Sequence, residues 1–230
     1  NLQLFERVSP ERLRRELELI FNEPDPPGAI DSMARYDELR FIHPRLLYSE
    51  DLKSQLVRLK RELSWFKNEF SGEDISPVRL YFGALIFFLS RSNLQKTGEK
   101  FNFSRKFLGQ LIALKKREEN LLQVLSSKSE VRPGRVYSLL RGLESEVILI
   151  IMARSGSEQA VSRIKKYFEE YRSVSTEVSG VDLKEMGIPP GPEYKIILDE
   201  LLQARLNGRI QSKEEELRLA HQLVDKLKAR

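Results

Sequence analysis

The sequence predicts an all-α fold, and three observations carry that expectation. Helix formers, above all Leu, Glu, Arg, Lys and Ser, dominate the 230 residues. The alternation of apolar and polar residues that marks strands is nearly absent. Proline and glycine clusters cut the chain at helix-length intervals. A chain of this length can bury one sizeable core or two modest ones, since a domain typically takes about 100–200 residues.

The elements follow from this punctuation. Ser9 is suited to an N-cap and Pro10 to the first helical position, with Leu13, Leu17, Ile20 and Phe21 on one face. Pro24-Asp-Pro-Pro-Gly ends that helix and starts a second, expected to reach about Leu39, and Pro44 breaks the chain again. Leu52, Leu56, Leu59, Leu63, Phe66 and Phe70 then recur at alternating steps of four and three, a narrow seam that fits a globular helix or a coiled-coil contact. After the Ser71-Gly-Glu-Asp turn, Tyr81 to Leu89 is apolar nearly all round. It is far shorter than the roughly 20 residues of a membrane span, so a buried central helix ending near Arg91 is expected and no membrane partner. From Ser104 to Leu125 an amphipathic helix turns Phe107, Leu108, Leu111, Ile112, Leu121, Leu122 and Leu125 inward. Pro133-Gly134 and Ser155-Gly156 separate the next helices, and residues 174–180 form a hinge.

Charge is uneven along the chain. Residues 1–90 carry 13 basic and 15 acidic side chains, residues 91–172 carry 17 and 9, and residues 181–230 carry 9 and 9, so the net +5 originates in the middle. Arg105, Lys106, Lys115, Lys116, Arg117, Arg132, Arg135 and Arg141 stand out there. A cationic strip is the footprint of a surface that tracks a nucleic-acid backbone, although Lys115 to Glu119 also reads as a solvated helix face.

Other chemistries find no support. The absence of cysteine excludes disulfides and thiolate metal sites and suits a cytoplasmic location. His43 and His221 are far apart and neither has a carboxylate at ligand spacing, so no metal site is expected. No phosphate-binding Gly-x-x-x-x-Gly-Lys loop and no Gly-x-Ser-x-Gly elbow occurs.

The last third is the most specific segment. Ser179-Gly-Val-Asp-Leu-Lys-Glu-Met-Gly-Ile-Pro-Pro-Gly-Pro-Glu-Tyr-Lys reads as two helices clasping a tight hairpin. Gly187 can take the left-handed conformation that ends the first helix, and Pro192 can open the second. Gly191, lacking a Cβ, would let a phosphate approach the N–H groups that follow. Helix capping alone also accounts for any one of these glycines or prolines.

This hairpin, with Ala204-Arg-Leu-Asn-Gly-Arg-Ile and Ser212-Lys-Glu-Glu-Glu-Leu after it, resembles the tail of the bacterial class II tRNA nucleotidyltransferases. These are the CCA-adding and A-adding enzymes and the related poly(A) polymerases. Arg7-Val-Ser-Pro-Glu-Arg-Leu resembles the family's neck segment. The resemblance implies an elongated helical body with a small helical tail containing a helix-hairpin-helix-like turn, divided as 1–48 end of neck, 49–173 body and 174–230 tail. It implies tRNA as the partner, gripped at the acceptor stem and T-arm, with Lys184, Gly187, Gly191, Tyr194 and Lys195 joining the basic strip as RNA-binding residues. In that family a separate head carries an Asp-x-Asp pair for magnesium and uses ATP or CTP; the Asp-x-Asp pair does not occur in this sequence. The chain is therefore expected to hold RNA without catalysing the reaction or binding a cofactor, and to depend on that head. Whether the parent adds CCA, A alone or poly(A) is not written in these residues. A rival expectation is a silent helical scaffold that binds a protein through the 50–70 seam.

Overall fold

The computed structural model describes residues 9–228, with side chains as far as residue 226; Arg7 and Val8 of the neck-like run lie outside it. The described residues form α1 (Pro10–Phe21), α2 (Pro26–Arg35), α3 (Glu50–Glu69), α4 (Pro77–Phe87), α5 (Arg91–Lys100), α6 (Arg105–Leu125), α7 (Pro133–Leu140), α8 (Ser145–Ser155), α9 (Glu158–Glu169), α10 (Gly180–Glu185), α11 (Pro192–Leu206) and α12 (Lys213–Lys228). Two short 3-10 turns complete them, and no strand occurs among the described residues. The all-α expectation is met.

Local chemistry sets the helix ends. Ser9, Ser49, Ser76, Ser90 and Ser104 each accept a hydrogen bond from the backbone N–H three residues on, which occupies one of the donors that a helix start leaves without a partner. Proline stands in the first turn of α1, α2, α4, α7 and α11, where a missing N–H costs nothing. Three boundaries differ from expectation. The second helix stops at Arg35, not Leu39, because Asp37 turns left-handed (φ 59°) and a 3-10 turn, Glu38–Phe41, buries Leu39 instead. The apolar helix stops at Phe87, and Ser90 caps a separate helix α5. A break at Gly142 (φ 78°), unread in the sequence, separates α7 from α8.

The chain divides into two compact units. The first takes the residues up to Ser126 together with Gly142–Val161. At its centre are α4, buried from Leu80 to Phe87, and α8, buried from Glu146 to Ala153. Helix α3 lays its seam of Leu52, Leu56, Leu59, Leu63 and Phe66 into this core and packs chiefly on α8. The seam is thus consumed within the unit, which leaves the scaffold reading without its binding face.

Polar side chains reach into this core to complete backbone hydrogen bonding. Lys115 Nζ donates to the Phe87 carbonyl oxygen (2.5 Å) at the end of α4 and stands 4.7 Å from the Phe87 ring centroid. Burial lowers the pKa of its ammonium, while Glu118 nearby opposes that shift. Arg154 lies over the same ring at 4.7 Å, pairs with Glu118 and donates to Gln55 Oε1 (3.0 Å).

The second unit comprises Ser127–Arg141 and the residues from Ser162 onward. Here α7 runs antiparallel to α11 in a fixed register. The Gly134 N–H donates to Asn207 Oδ1 (3.0 Å), Gln203 Nε2 donates to Ser138 Oγ (2.9 Å), and Arg141 makes a bidentate pair with Asp199 (2.7 and 3.0 Å). Helices α10, α11 and α12 enclose a core of Leu183, Ile188, Ile197, Leu201, Ala220 and Val224. The fully buried Glu216 of α12 ties it together. Its Oε2 accepts the N–H groups of Glu177 and Val178 (2.8 Å each), and its Oε1 pairs with Arg205, which also holds Glu177 (3.0 Å).

Two stability predictions follow from these contacts. Glu216→Ala removes a buried charge and strands two N–H groups, so unfolding in urea should show a loss of about 3 kcal/mol. Adding Arg205→Ala to that variant should cost little more, because the partner is already gone; additive losses would disprove the coupling. Lys115→Ala should cost about 1–2 kcal/mol by orphaning the Phe87 carbonyl, against less than about 0.5 kcal/mol for Lys116→Ala on the solvent side. Equal denaturation midpoints for those two variants would remove the capping role from Lys115.

Candidate nucleic-acid interface

The hairpin between α10 and α11 is built from local rules. Ser179 and Asp182 form a reciprocal capping box at the start of α10, and the Asp182 carboxyl is held well below its usual pKa, first by hydrogen bonds from Ser179 and then by Lys213 (3.2 Å). At the other end the Gly187 N–H donates to the Lys184 carbonyl (2.9 Å) and the Ile188 N–H to the Leu183 carbonyl (3.3 Å), with Gly187 at φ 79°. That is a Schellman closure, and its left-handed position is where glycine costs least. Ile188 and Leu183 are both buried in the tail core beneath it. The Tyr194 hydroxyl reaches back to donate to the Ile188 carbonyl (2.9 Å), which fixes the hairpin against the first turn of α11.

Gly191 is the N-cap of α11, with extended backbone angles (φ −174°, ψ −172°) and no side-chain hydrogen bond to the helix start. At the start of α11 Pro192 carries no N–H and the Tyr194 N–H donates to the Gly191 carbonyl (3.2 Å); no side-chain cap serves the remaining donors, and Gly191 itself is exposed. A Cβ at Gly191 would meet only the movable Glu193 carboxylate, at 2.7 Å. Lys184 and Lys195, one on each helix, are exposed. Lys195 acts electrostatically on Asp199, whose pKa is lowered first by the hydrogen bonds from Arg141.

The structure distributes the basic strip across both units. In the first, Arg105 opens α6 at a cleft of about 850 Å³ lined by Gln95, Glu99, Asn102, Leu108 and Ile112. Lys106 is exposed and paired with Glu144 (3.1 Å). Along α6, Lys116 and Arg117 are exposed, while Lys115 is turned inward to the carbonyl of Phe87. In the second unit, Arg132 stands at the N-cap position of α7 without a side-chain hydrogen bond to it and Arg135 lies in its first turn, both exposed, whereas Arg141 at its far end is engaged with Asp199. The α7–α11 pairing thus brings Arg132, Arg135 and Arg141 into the same unit as the hairpin, a grouping that sequence distance concealed. Among the described residues no cluster of His, Asp or Glu could hold a metal ion, and His43 Nδ1 accepts the Arg45 N–H instead (3.0 Å). No described helix is long and apolar enough to cross a membrane.

Two functional-looking residues escaped the sequence reading. Glu216 was visible only as one of three consecutive glutamates, and nothing in that run distinguishes the buried one. Arg209 follows Gly208 (φ 69°) in the turn after α11 and is exposed; its position becomes meaningful only through the packing of α7.

No protein-family model matches the chain. It is 35% identical over 224 residues to an A-adding tRNA nucleotidyltransferase of Geobacter sulfurreducens, an alignment that covers 96% of this chain and 26% of that protein. In fold it is similar to the Thermotoga maritima CCA-adding enzyme complexed with tRNA (TM-score 0.83, 24% identity, 97% of this chain and 53% of that one). It is likewise similar to a CCA-adding enzyme complexed with CTP (TM-score 0.82, 23% identity, 96% and 51%). The chain spans about a quarter of the length of the first relative and about half of each of the two structures. With near-complete coverage of this chain by sequence and by fold, it corresponds to a helical body-and-tail portion of the tRNA nucleotidyltransferase family.

Proposed function

We propose that the chain is the tRNA-holding portion of an enzyme that adds nucleotides to tRNA 3′ ends, and that its division into neck, body and tail at residues 48 and 173 is a division of that task. The observation that supports this most is the built hairpin: a Schellman-closed turn, an uncapped helix start at an exposed glycine, and a lysine on each flank. An uncapped helix start offers N–H groups and a partial positive charge to a phosphate. RNA duplex is read through shape, phosphates and 2′-hydroxyls, a task for which cationic helical faces suffice. Exposed Arg105, Lys116, Arg117, Arg132 and Arg135 would follow the sugar-phosphate backbone, with Lys184 and Lys195 at the hairpin. Lys115 and Arg141 would support them from behind, since both are committed to intramolecular partners.

The chemistry of nucleotide addition would belong to a head with an Asp-x-Asp pair, which would bind magnesium and ATP or CTP. That pair is absent from this sequence. The purified chain incubated with tRNA, magnesium and labelled ATP or CTP should therefore show no 3′ extension, and any incorporation would overturn this assignment.

Gly191→Val tests the hairpin. Its extended backbone suits any residue and the atom nearest to an added Cβ is a movable carboxylate oxygen, so circular dichroism should be unchanged. Loss of a charge-assisted contact should weaken binding roughly tenfold for tRNA and for an acceptor–T-arm minihelix. A short acceptor stem should bind the variant as it binds the parent. Equal minihelix affinity for variant and parent would leave the hairpin as a structural cap.

A further inference from the structure

The second unit carries another cationic surface, at the opposite end of α11 from the hairpin. The α7–α11 register presses the first turn of α7 against the last turn of α11. The Gly134 N–H meets Asn207 Oδ1 at 3.0 Å, and a Cβ at Gly134 would stand 2.2 Å from Gln203 Oε1 and 3.1 Å from Asn207 Nδ2. A side chain here would displace the Gln203 amide from its place against α7. The approach gathers the backbone of Arg132 to Arg135 and that of Asn207 to Arg209 at one corner, although the two segments lie more than 70 residues apart in the chain. Arg132, Arg135 and Arg209 are all exposed, and their guanidinium groups make no hydrogen bond or ion pair among the described residues.

Other arginines of this unit are committed to internal partners. Arg141 is bound to Asp199, Arg205 to Glu216 and Glu177, and Arg163 to the carbonyl oxygens of Ser127 and Ser129 (2.8 Å each). Three acids of the same unit are engaged with other groups: Glu215 accepts the Gln211 N–H, and Glu216 and Glu177 hold Arg205. Glu130, two residues before Arg132, pairs with none of the three. Three exposed guanidiniums carried on these adjoining backbone segments supply up to fifteen N–H donors in planar forks that match phosphate oxygens.

We propose that Arg132, Arg135 and Arg209 form a second phosphate-backbone contact for the RNA held by this chain. The proposal rests on the RNA-holding reading above. The two contacts lie at the ends of one helix: the hairpin at Gly191, this corner at Asn207. Fifteen helical residues separate them by about 22 Å. Helix α11 is therefore a rigid spacer between two phosphate contacts, and Arg209 is an RNA-contacting residue.

The test compares the full chain with R132Q/R135Q/R209Q by fluorescence anisotropy on tRNA and on a DNA duplex of similar length, across a range of salt. No intramolecular bond is lost, so the thermal midpoint should not move. Each phosphate contact contributes roughly one to the slope of log K against log salt, so the slope for tRNA should fall by two to three. An unchanged slope, with parent and variant binding tRNA alike, overturns the cluster and leaves the RNA-holding reading standing. If the parent binds DNA duplex as tightly as tRNA, and the variant loses slope on both, the corner is a polyanion site and the tRNA reading fails. Failure of the parent to bind either overturns both. A thermal midpoint lowered in the variant would reassign the three arginines to internal structure, and R209Q alone, which lies outside every helix, then decides by its own slope.

Discussion

Helix ends govern this molecule. Each α-helix leaves four N–H and four C=O groups without intrahelical partners, and a chain built from helices of 6 to 21 residues spends much of its backbone in such ends. The nearest solution is local: serine at the start, proline in the first turn, glycine or asparagine turning left-handed after the last. Where the end is buried the solution must come from afar. Lys115 crosses from α6 to the last carbonyl of α4, and Glu216 crosses from α12 to two N–H groups that lead into α10. These long-range bonds connect helices as much as they satisfy them, because an unmet buried backbone group costs more than the bond itself returns.

The same constraint explains where sequence reading succeeded. Serine at a helix start and proline in the first turn are short-range signals, legible at Ser9, Pro10 and Pro192, and α6 begins and ends where Ser104 and the apolar repeat imply. The seam of α3 and the all-round burial of α4 follow from spacing alone. Legibility ended where a partner was distant. Nothing near Gly134 announces Asn207, and nothing in Glu214, Glu215 and Glu216 says which carboxylate goes inside. The turn geometry of the hairpin, which is local, was readable; the approach of the Asn207–Arg209 turn to α7, which is not local, was unreadable.

Charge shows the same division between count and use. The middle of the chain is rich in cations, yet several are spent inside the units: Lys115 and Arg154 on the end of α4, Arg163 on the carbonyl oxygens of Ser127 and Ser129. A guanidinium stacked on an aromatic ring and paired with a carboxylate contributes little to the outward field. The field that a polyanion meets comes from the smaller set of exposed residues, so net charge per segment overstates it.

The pairing of α7 with α11 bears on how the chain can be cut and how it is made. Val136, Leu139 and Leu140 are buried, and the α7–α11 bonds are closed by residues synthesised some 60 to 70 positions later. A protein shortened at residues 174–180 would keep α7 but lose the helix that α7 lies against, exposing those side chains to water. During synthesis the same stretch stays without its partner until α11 has left the ribosome, while the residues on either side of it, up to Ser126 and from Gly142, belong to the other unit. The composition boundary at residues 174–180 thus does not coincide with the limit of the second unit, which also takes in Ser127–Arg141.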